Sequence, residues 1–275
     1  MRAACNIILL FILPAFTIVL PAAGVASGRT AEYEALCAKA EELCEHGDYA
    51  KAIPLVETAR DLSIELYGPV NSNTVQLSQF LASLYYFDDR MSDAETLLTN
   101  ALHTWQLLDL TNTAQYAECL NNLGEVYRVR GKYSKSAHVH ERALSNRNRL
   151  YPRDNHFVIE SCNNYAEVLR ILGQYDKAET VFLTGLRNGK NNITNRAIVA
   201  ILQNNLAFLY RELGKYHQAE QLYTSVLTNV ATLAGDERAA VYNDLAILAH
   251  DRSDFYRAKS LYEAALALYT NSFGL

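Results

Sequence analysis

Apolar and polar positions in Leu120-Asn121-Asn122-Leu123-Gly124-Glu125-Val126-Tyr127-Arg128 recur with the period of a helix. At about 100° per residue, Leu120, Leu123, Gly124 and Tyr127 share one face, while Asn121, Asn122, Glu125, Arg128 and Val129 look the other way. Gly131-Lys132-Tyr133 then breaks the helix, and a second apolar run closes at Ala143-Leu144. The same arrangement recurs five more times with substitutions. The predicted elements are therefore six helix pairs, each folded about a short turn.

The register of the copies is set by a marker, Gly-x-Tyr-x-x-Ala. It stands as Gly47-Asp48-Tyr49 with Ala52, Gly173-Gln174-Tyr175 with Ala178, and Gly214-Lys215-Tyr216 with Ala219. Gly131-Lys132-Tyr133 carries Ser136 at the small position. Two degenerate copies, Asp89-Arg90-Met91 with Ala94 and Ser253-Asp254-Phe255 with Ala258, keep the spacing. Marker starts at 47, 89, 131, 173, 214 and 253 are separated by 42, 42, 42, 41 and 39 residues. Seven residues before each marker lies a small residue: Ala40, Ala82, Gly124, Ala166, Ala207 and Ala246. Four before it lies Leu43, Tyr85, Tyr127, Leu169 or Tyr210, with Ala249 in the last copy. Nine after it lies Val56, Leu98, Phe182, Tyr223 or Tyr262, with His140 the exception. Small residues at fixed places let two antiparallel helices approach closely, and the bulky ones fill the gaps between pairs. A turn glycine ends the first helix at no steric cost. Joints such as Tyr67-Gly68-Pro69-Val70-Asn71 and Tyr151-Pro152-Arg153-Asp154-Asn155 connect the pairs. One joint holds Asn192-Ile193-Thr194, a glycosylation site only in a eukaryotic host.

This grammar resembles the tetratricopeptide repeat, and the 42-residue period with the Leu-Asn-Asn-Leu opening is similar to the kinesin-light-chain type. The resemblance spans about residues 31–270. It implies an all-α, right-handed α-solenoid of about six helix pairs, with a concave groove lined by first helices. It implies no motor function.

Three ladders follow the outward-facing positions along the chain. The asparagines are Asn121-Asn122, Asn163-Asn164 and Asn204-Asn205, then Asn243 beside Asp244. The arginines are Arg128, Arg170 and Arg211, with His250 in the fourth place. The acids are Glu125 and Glu167, replaced by Phe208 and Ile247. An asparagine amide both donates and accepts, so a column of them suits the backbone of an extended peptide. Arginine adds bidentate capture of a carboxylate. In the resembled family such positions hold extended, often acidic peptides. That role carries over to Asn122, Asn164, Asn205, Arg128, Arg170 and Arg211; the ladder adds Asn121, Asn163 and Asn204 as candidates, and Phe208 makes that end of the groove more apolar, suited to a bulky ligand side chain. Two other readings stay open. Glu125–Arg128 and Glu167–Arg170 are i,i+3 neighbours, so those arginines can neutralise their own acids. The asparagines can also bond between adjacent helices. Arg211 has Phe208 rather than an acid three residues back and is the arginine expected to be free.

The first 26 residues read differently. Arg2 is followed by an uncharged stretch from Ala3 to Gly28, with apolar blocks Ile7–Leu13 and Phe16–Leu20 and then small residues. This is the pattern of a secretory signal, with cleavage after Gly24 or Ala26. The rival reading is a retained anchor over residues 3–28, interrupted by Pro14 and Pro21. Either sends the body out of the cytosol, to the periplasm or the exterior. Cys37, Cys44, Cys119 and Cys162 lack zinc-ligand spacing and read as buried small thiols. Cys37 and Cys44 are two helical turns apart, too far to bridge, while the alternative of a Cys119–Cys162 pair stays open.

A net charge of −5 argues against a nucleic-acid platform. No phosphate loop, His-Glu-x-x-His or Gly-x-Ser-x-Gly is present, so neither enzyme activity nor a cofactor or metal is expected. The expected function is an exported protein-binding scaffold. The alternative is a structural subunit of an envelope assembly, contacting folded partners through its convex face and last helix. Repeat arrays usually carry a polar cap. Leu261, Ala265 and Leu268 in the last copy therefore leave self-association through that helix as a further expectation.

Overall fold

The computed structural model describes residues 28–190, 192–229 and 235–273. The export segment expected over residues 1–26 lies outside them. Twelve α-helices and a short 3-10 turn at Ile193–Asn195 make up the described residues, which contain no strand. The first pair is α1 (Gly28–Glu45) with α2 (Tyr49–Tyr67), followed by α3 (Ser72–Phe87) with α4 (Met91–Leu107). Next come α5 (Ala114–Val129) with α6 (Tyr133–Leu150), and α7 (His156–Ile171) with α8 (Tyr175–Gly189). The last two pairs are α9 (Arg196–Glu212) with α10 (Tyr216–Asn229), and α11 (Gly235–Asp251) with α12 (Phe255–Phe273). The chain divides into two compact units, one ending at Leu150 and the other running from Tyr151 onward. Within each, every helix packs on its neighbour in sequence. None of the described helices is long and apolar enough to cross a membrane.

All six turns inside the pairs share one backbone closure. The N–H after each marker start bonds back to the carbonyl four residues before it: Asp48 to Leu43, Arg90 to Tyr85, Lys132 to Tyr127, Gln174 to Leu169, Lys215 to Tyr210 and Asp254 to Ala249. Distances run from 2.8 to 2.9 Å. This closure needs a left-handed residue at the marker start. Gly47, Gly131, Gly173 and Gly214 supply it with φ of 70–77°. Asp89 and Ser253 adopt the same conformation, at φ 61° and 62°, without the freedom of a glycine. The degenerate markers thus keep the turn as well as the spacing.

Three of the joints end in helix caps. Asn71, Thr113 and Asn155 accept backbone N–H groups of Asn73, Tyr116 and Phe157 at 2.9, 3.3 and 2.9 Å, fixing the starts of α3, α5 and α7. Each core is assembled from the register positions. Ala40, Ala82, Ala166, Ala207 and Ala246 are fully buried, as are Leu98, Phe182 and Tyr223 across from them. Burying each large side chain contributes about 1.5–3 kcal/mol. Cys37, Cys44, Cys119 and Cys162 are buried, unpaired thiols.

Candidate functional site

In the unit from Tyr151 onward the first helices α7, α9 and α11 lie side by side and form one wall. The asparagine ladder runs through this wall rather than over it. Asn163, Asn164 and Asn205 are buried. Asn205 Nδ2 donates to Asn163 Oδ1 at 2.8 Å across the α7–α9 contact, and Asn163 Nδ2 donates to Asn164 Oδ1 at 3.2 Å. The first asparagine of one repeat thus meets the second position of the next. The same relation recurs one step on, where Asn204 Nδ2 donates to Asp244 Oδ2 at 3.2 Å. A carboxylate can only accept, so Asn204 turns its NH₂ toward Asp244. Its Oδ1 is left buried without a hydrogen-bond partner. Burial pushes the Asp244 carboxyl pKa up, and the Asn204 bond and the Arg211 charge offset this only in part.

The arginine ladder divides into occupied and loosely held members. Arg170 makes two bonds to buried Glu167, Nε at 3.0 Å and Nη2 at 2.6 Å. Its Nη1 reaches Glu212 of the next repeat at 2.8 Å. Arg211 holds the equivalent next-repeat acid, Asp251, only at 3.7 Å from Nε. It has Phe208 three residues back, where Arg170 has Glu167. Its Nη1 is buried without a hydrogen-bond partner. The Phe208 ring lies between the two guanidiniums, 4.6 Å from Arg170 and 4.7 Å from Arg211, so both make cation–π contacts with it. Asn204, Phe208 and Arg211 are spaced i, i+4, i+7 and share one face of α9, each half-buried.

In the unit ending at Leu150, α3 and α5 make the corresponding contact. Asn121, Asn122 and Glu125 are buried, and Arg128 is half-buried. Gln79, at the Asn121 position of the preceding repeat, accepts from Trp105 Nε1 at 2.5 Å and donates to the Gln115 carbonyl at 3.1 Å. The amide of Asn122 is buried with neither atom hydrogen-bonded. Arg128 Nε bonds Glu125 Oε2 at 3.0 Å. The other oxygen of Glu125 lies 3.2 Å from His140 Nε2, at ion-pair distance although off the line of a good hydrogen bond. Burial alone would raise the Glu125 pKa. The interactions with His140 and Arg128 outweigh it and hold the carboxyl below its ordinary range.

Of the ten candidate residues, Asn121, Asn122, Asn163, Asn164 and Asn205 are therefore enclosed between helices. Arg128, Arg170, Asn204, Phe208 and Arg211 keep part of their surface in contact with solvent. Both i,i+3 pairs, Glu125–Arg128 and Glu167–Arg170, are formed. Sequence reasoning did not reach the Arg170–Phe208–Arg211 stack, because ring and guanidiniums come from different repeats. It also missed Asn204–Asp244; the signal available was the one Asp in an Asn column. No group of three or more metal-ligating side chains occurs among the described residues.

Comparison with known proteins bears on this arrangement at the level of family and fold. The tetratricopeptide repeat model matches residues 77–149, 112–191, 157–231 and 198–271. No curated protein matches the sequence. Among solved structures, BtubC (BKLC) from P. vanneervenii is similar over 91% of this chain and 94% of its own, with 19% identity and a TM-score of 0.66. NprR in complex with its cognate peptide NprX is similar over 88% of this chain and 68% of its own, at 16% identity and TM-score 0.64. The nearly identical TPR-like repeats of a Podosopora anserina kinesin light chain cover 74% of this chain and 96% of theirs, at 14% identity and TM-score 0.63. With six repeats in register and a family match across most of its length, the chain belongs to the tetratricopeptide repeat family.

Proposed function

We propose that this is an exported, non-enzymatic tetratricopeptide repeat scaffold that holds an extended peptide segment of a partner protein against the α7–α9–α11 wall. One observation carries the reading. Asn204, Phe208 and Arg211 share one half-buried face of α9, and Arg211 has only a loose 3.7 Å contact to an acid, Asp251. A guanidinium without a close acid partner can take a further charged acceptor. A peptide offers that chemistry: a carbonyl or carboxylate for the guanidinium, and an apolar or aromatic side chain for Phe208. The peptide complex of NprR, a protein of similar fold, supports the class of ligand. Of the remaining candidates, Asn163, Asn164 and Asn205 then serve by fixing the spacing of the helices that carry the contact residues, and Asn121 and Asn122 stand at the same repeat positions in the other unit. Arg170 extends the basic edge of the wall, and Arg128 holds the same repeat position in the other unit.

Export rests on Arg2 and the apolar blocks Ile7–Leu13 and Phe16–Leu20. N-terminal sequencing of the mature protein tests it: a start at Val25 or Ser27 supports cleavage, and an intact Met1 supports the anchor reading over residues 3–28.

Selection from a displayed library of random peptides tests the groove. Binders should be enriched in carboxylates and lose at least tenfold in affinity for a Phe208→Ala, Arg211→Gln variant of unchanged circular dichroism and thermal midpoint. Equal binding by the variant removes the proposal. A second reading, contact with a folded partner through the outer helices, is favoured by the exposed Phe255 and Tyr256 of α12.

A further inference from the structure

The residue nine positions after each marker start occupies the same place in every pair. Val56, Leu98, His140, Phe182 and Tyr223 there are at most 1% exposed, whereas Tyr262 is 40% exposed. Around it, Phe255, Ala258, Lys259, Tyr262, Glu263 and Leu266 line an open apolar trough of about 360 Å³ on α12. The position at its centre is covered in the five preceding repeats.

The charges on α12 say what fits it. Lys259 and Glu263 lie one turn apart on that face, both more than two-thirds exposed, and their own contact is a loose 3.9 Å. They stand symmetrically about position 261, and so do Tyr256 and Leu266, which are 89% and 63% exposed. Tyr256, Lys259, Glu263 and Leu266 are spaced three, four and three residues apart, which is the stripe of a two-helix seam. An antiparallel α12 from a second copy, related by a two-fold axis at position 261, sets each Lys259 against the other copy's Glu263. It also sets each Tyr256 against the other copy's Leu266. The surface is its own complement, as an isologous interface requires.

We infer that α12 is a self-association surface, and that two copies of this chain pair through it in antiparallel register with reciprocal Lys259–Glu263 contacts. The inference goes beyond the peptide reading and is independent of it. Substitutions on α12 leave Asn204, Phe208 and Arg211 untouched, so either idea can fail alone.

Sedimentation of the full chain over a concentration series tests it. The wild type forms a dimer. Lys259→Glu and Glu263→Lys each weaken it by about tenfold, since each places two like-charge pairs across the seam. An equimolar mixture of the two variants dimerises at least as well as the wild type, because every facing pair is then opposite in charge. So does the Lys259→Glu, Glu263→Lys double variant. These positions are solvent-exposed, so unfolding does not enter the comparison. A wild type monomeric at all concentrations, single variants that associate as the wild type does, or a mixture no tighter than either variant alone overturns the inference.

Discussion

The imidazole of His140 lies against the backbone of Gly124, where a Cβ would sit 2.5 Å from ring atoms Cε1 and Nε2. The third repeat therefore departs twice from the register, with a glycine for the usual alanine and a histidine for the usual large apolar residue, and the departures compensate each other. Ser136 completes the exchange by donating to the Gly124 carbonyl at 2.7 Å. Gly124→Ala should cost about 1–3 kcal/mol by overpacking. The same change in a His140→Ala background should cost at least about 1 kcal/mol less. Urea unfolding of the four proteins of this cycle measures the coupling; additive costs would show that the contact is not limiting.

Glu125 ties the same histidine to Arg128. Its carboxyl titrates below its ordinary range when folded. The stability it contributes is therefore complete above its unfolded pKa of about 4.3 and is lost as pH falls through the lower folded value. Glu125→Gln should be less stable than the wild type at pH 6, and the gap should narrow below about pH 4. Denaturation midpoints from pH 3 to 6 test this; a gap independent of pH would mean that the carboxylate charge is not what His140 and Arg128 stabilise.

Asp244 has the opposite sign. Burial raises its folded pKa, so the ionised form is penalised above that value, and the penalty disappears as pH falls below the unfolded value of about 3.9. Asp244→Asn places a donor opposite the unmet Asn204 Oδ1. It should stabilise the protein at neutral pH by about 0.5–2 kcal/mol, with the gain shrinking toward pH 4. Thermal midpoints at pH 7.5 and 4 are the readout, and a destabilised variant at neutral pH would count against it.

Removing the Asn205 amide leaves buried Asn163 Oδ1 without its 2.8 Å donor. Asn205→Ala should cost about 1–3 kcal/mol. Hydrogen exchange localises the effect: loss of protection concentrated in α7 and α9 agrees with a bond that spaces these helices, while unchanged protection there would contradict it.

Asp89 and Ser253 hold a left-handed conformation that an L side chain adopts at a cost of about 1–2 kcal/mol. The glycine substitutions Asp89→Gly and Ser253→Gly should each raise stability by up to about 1 kcal/mol, visible as a higher thermal midpoint. Gly131→Ala should lower stability by a comparable amount.

Most of the scaffold was legible because each repeat is its own witness. The turn closure depends on backbone sterics at one residue, and the small and large register positions depend on how near two helices can come. Both are local and recur six times, so copies such as Asp89-Arg90-Met91 could be read against clearer ones. The candidate site was less legible. Asn121, Asn163 and Asn205 are polar and face away from their own pair's core, which on a single helix predicts exposure. Adjacent first helices pack on that same face within each unit, so the amides are enclosed, and Asn205 bonds Asn163.

The sequence by itself therefore determined the helix pairs, their register, the repeat family and the absence of an acid three residues before Arg211. Only the tertiary structure decided which polar residues are spent between helices and which still face solvent. It stacked Phe208 between guanidiniums from two repeats and left Arg211 Nη1 and Asn204 Oδ1 without hydrogen-bond partners. The physical reason is range: helix period and turn closure act within a few residues, whereas burial and hydrogen-bond satisfaction on these faces depend on a neighbour about forty residues away.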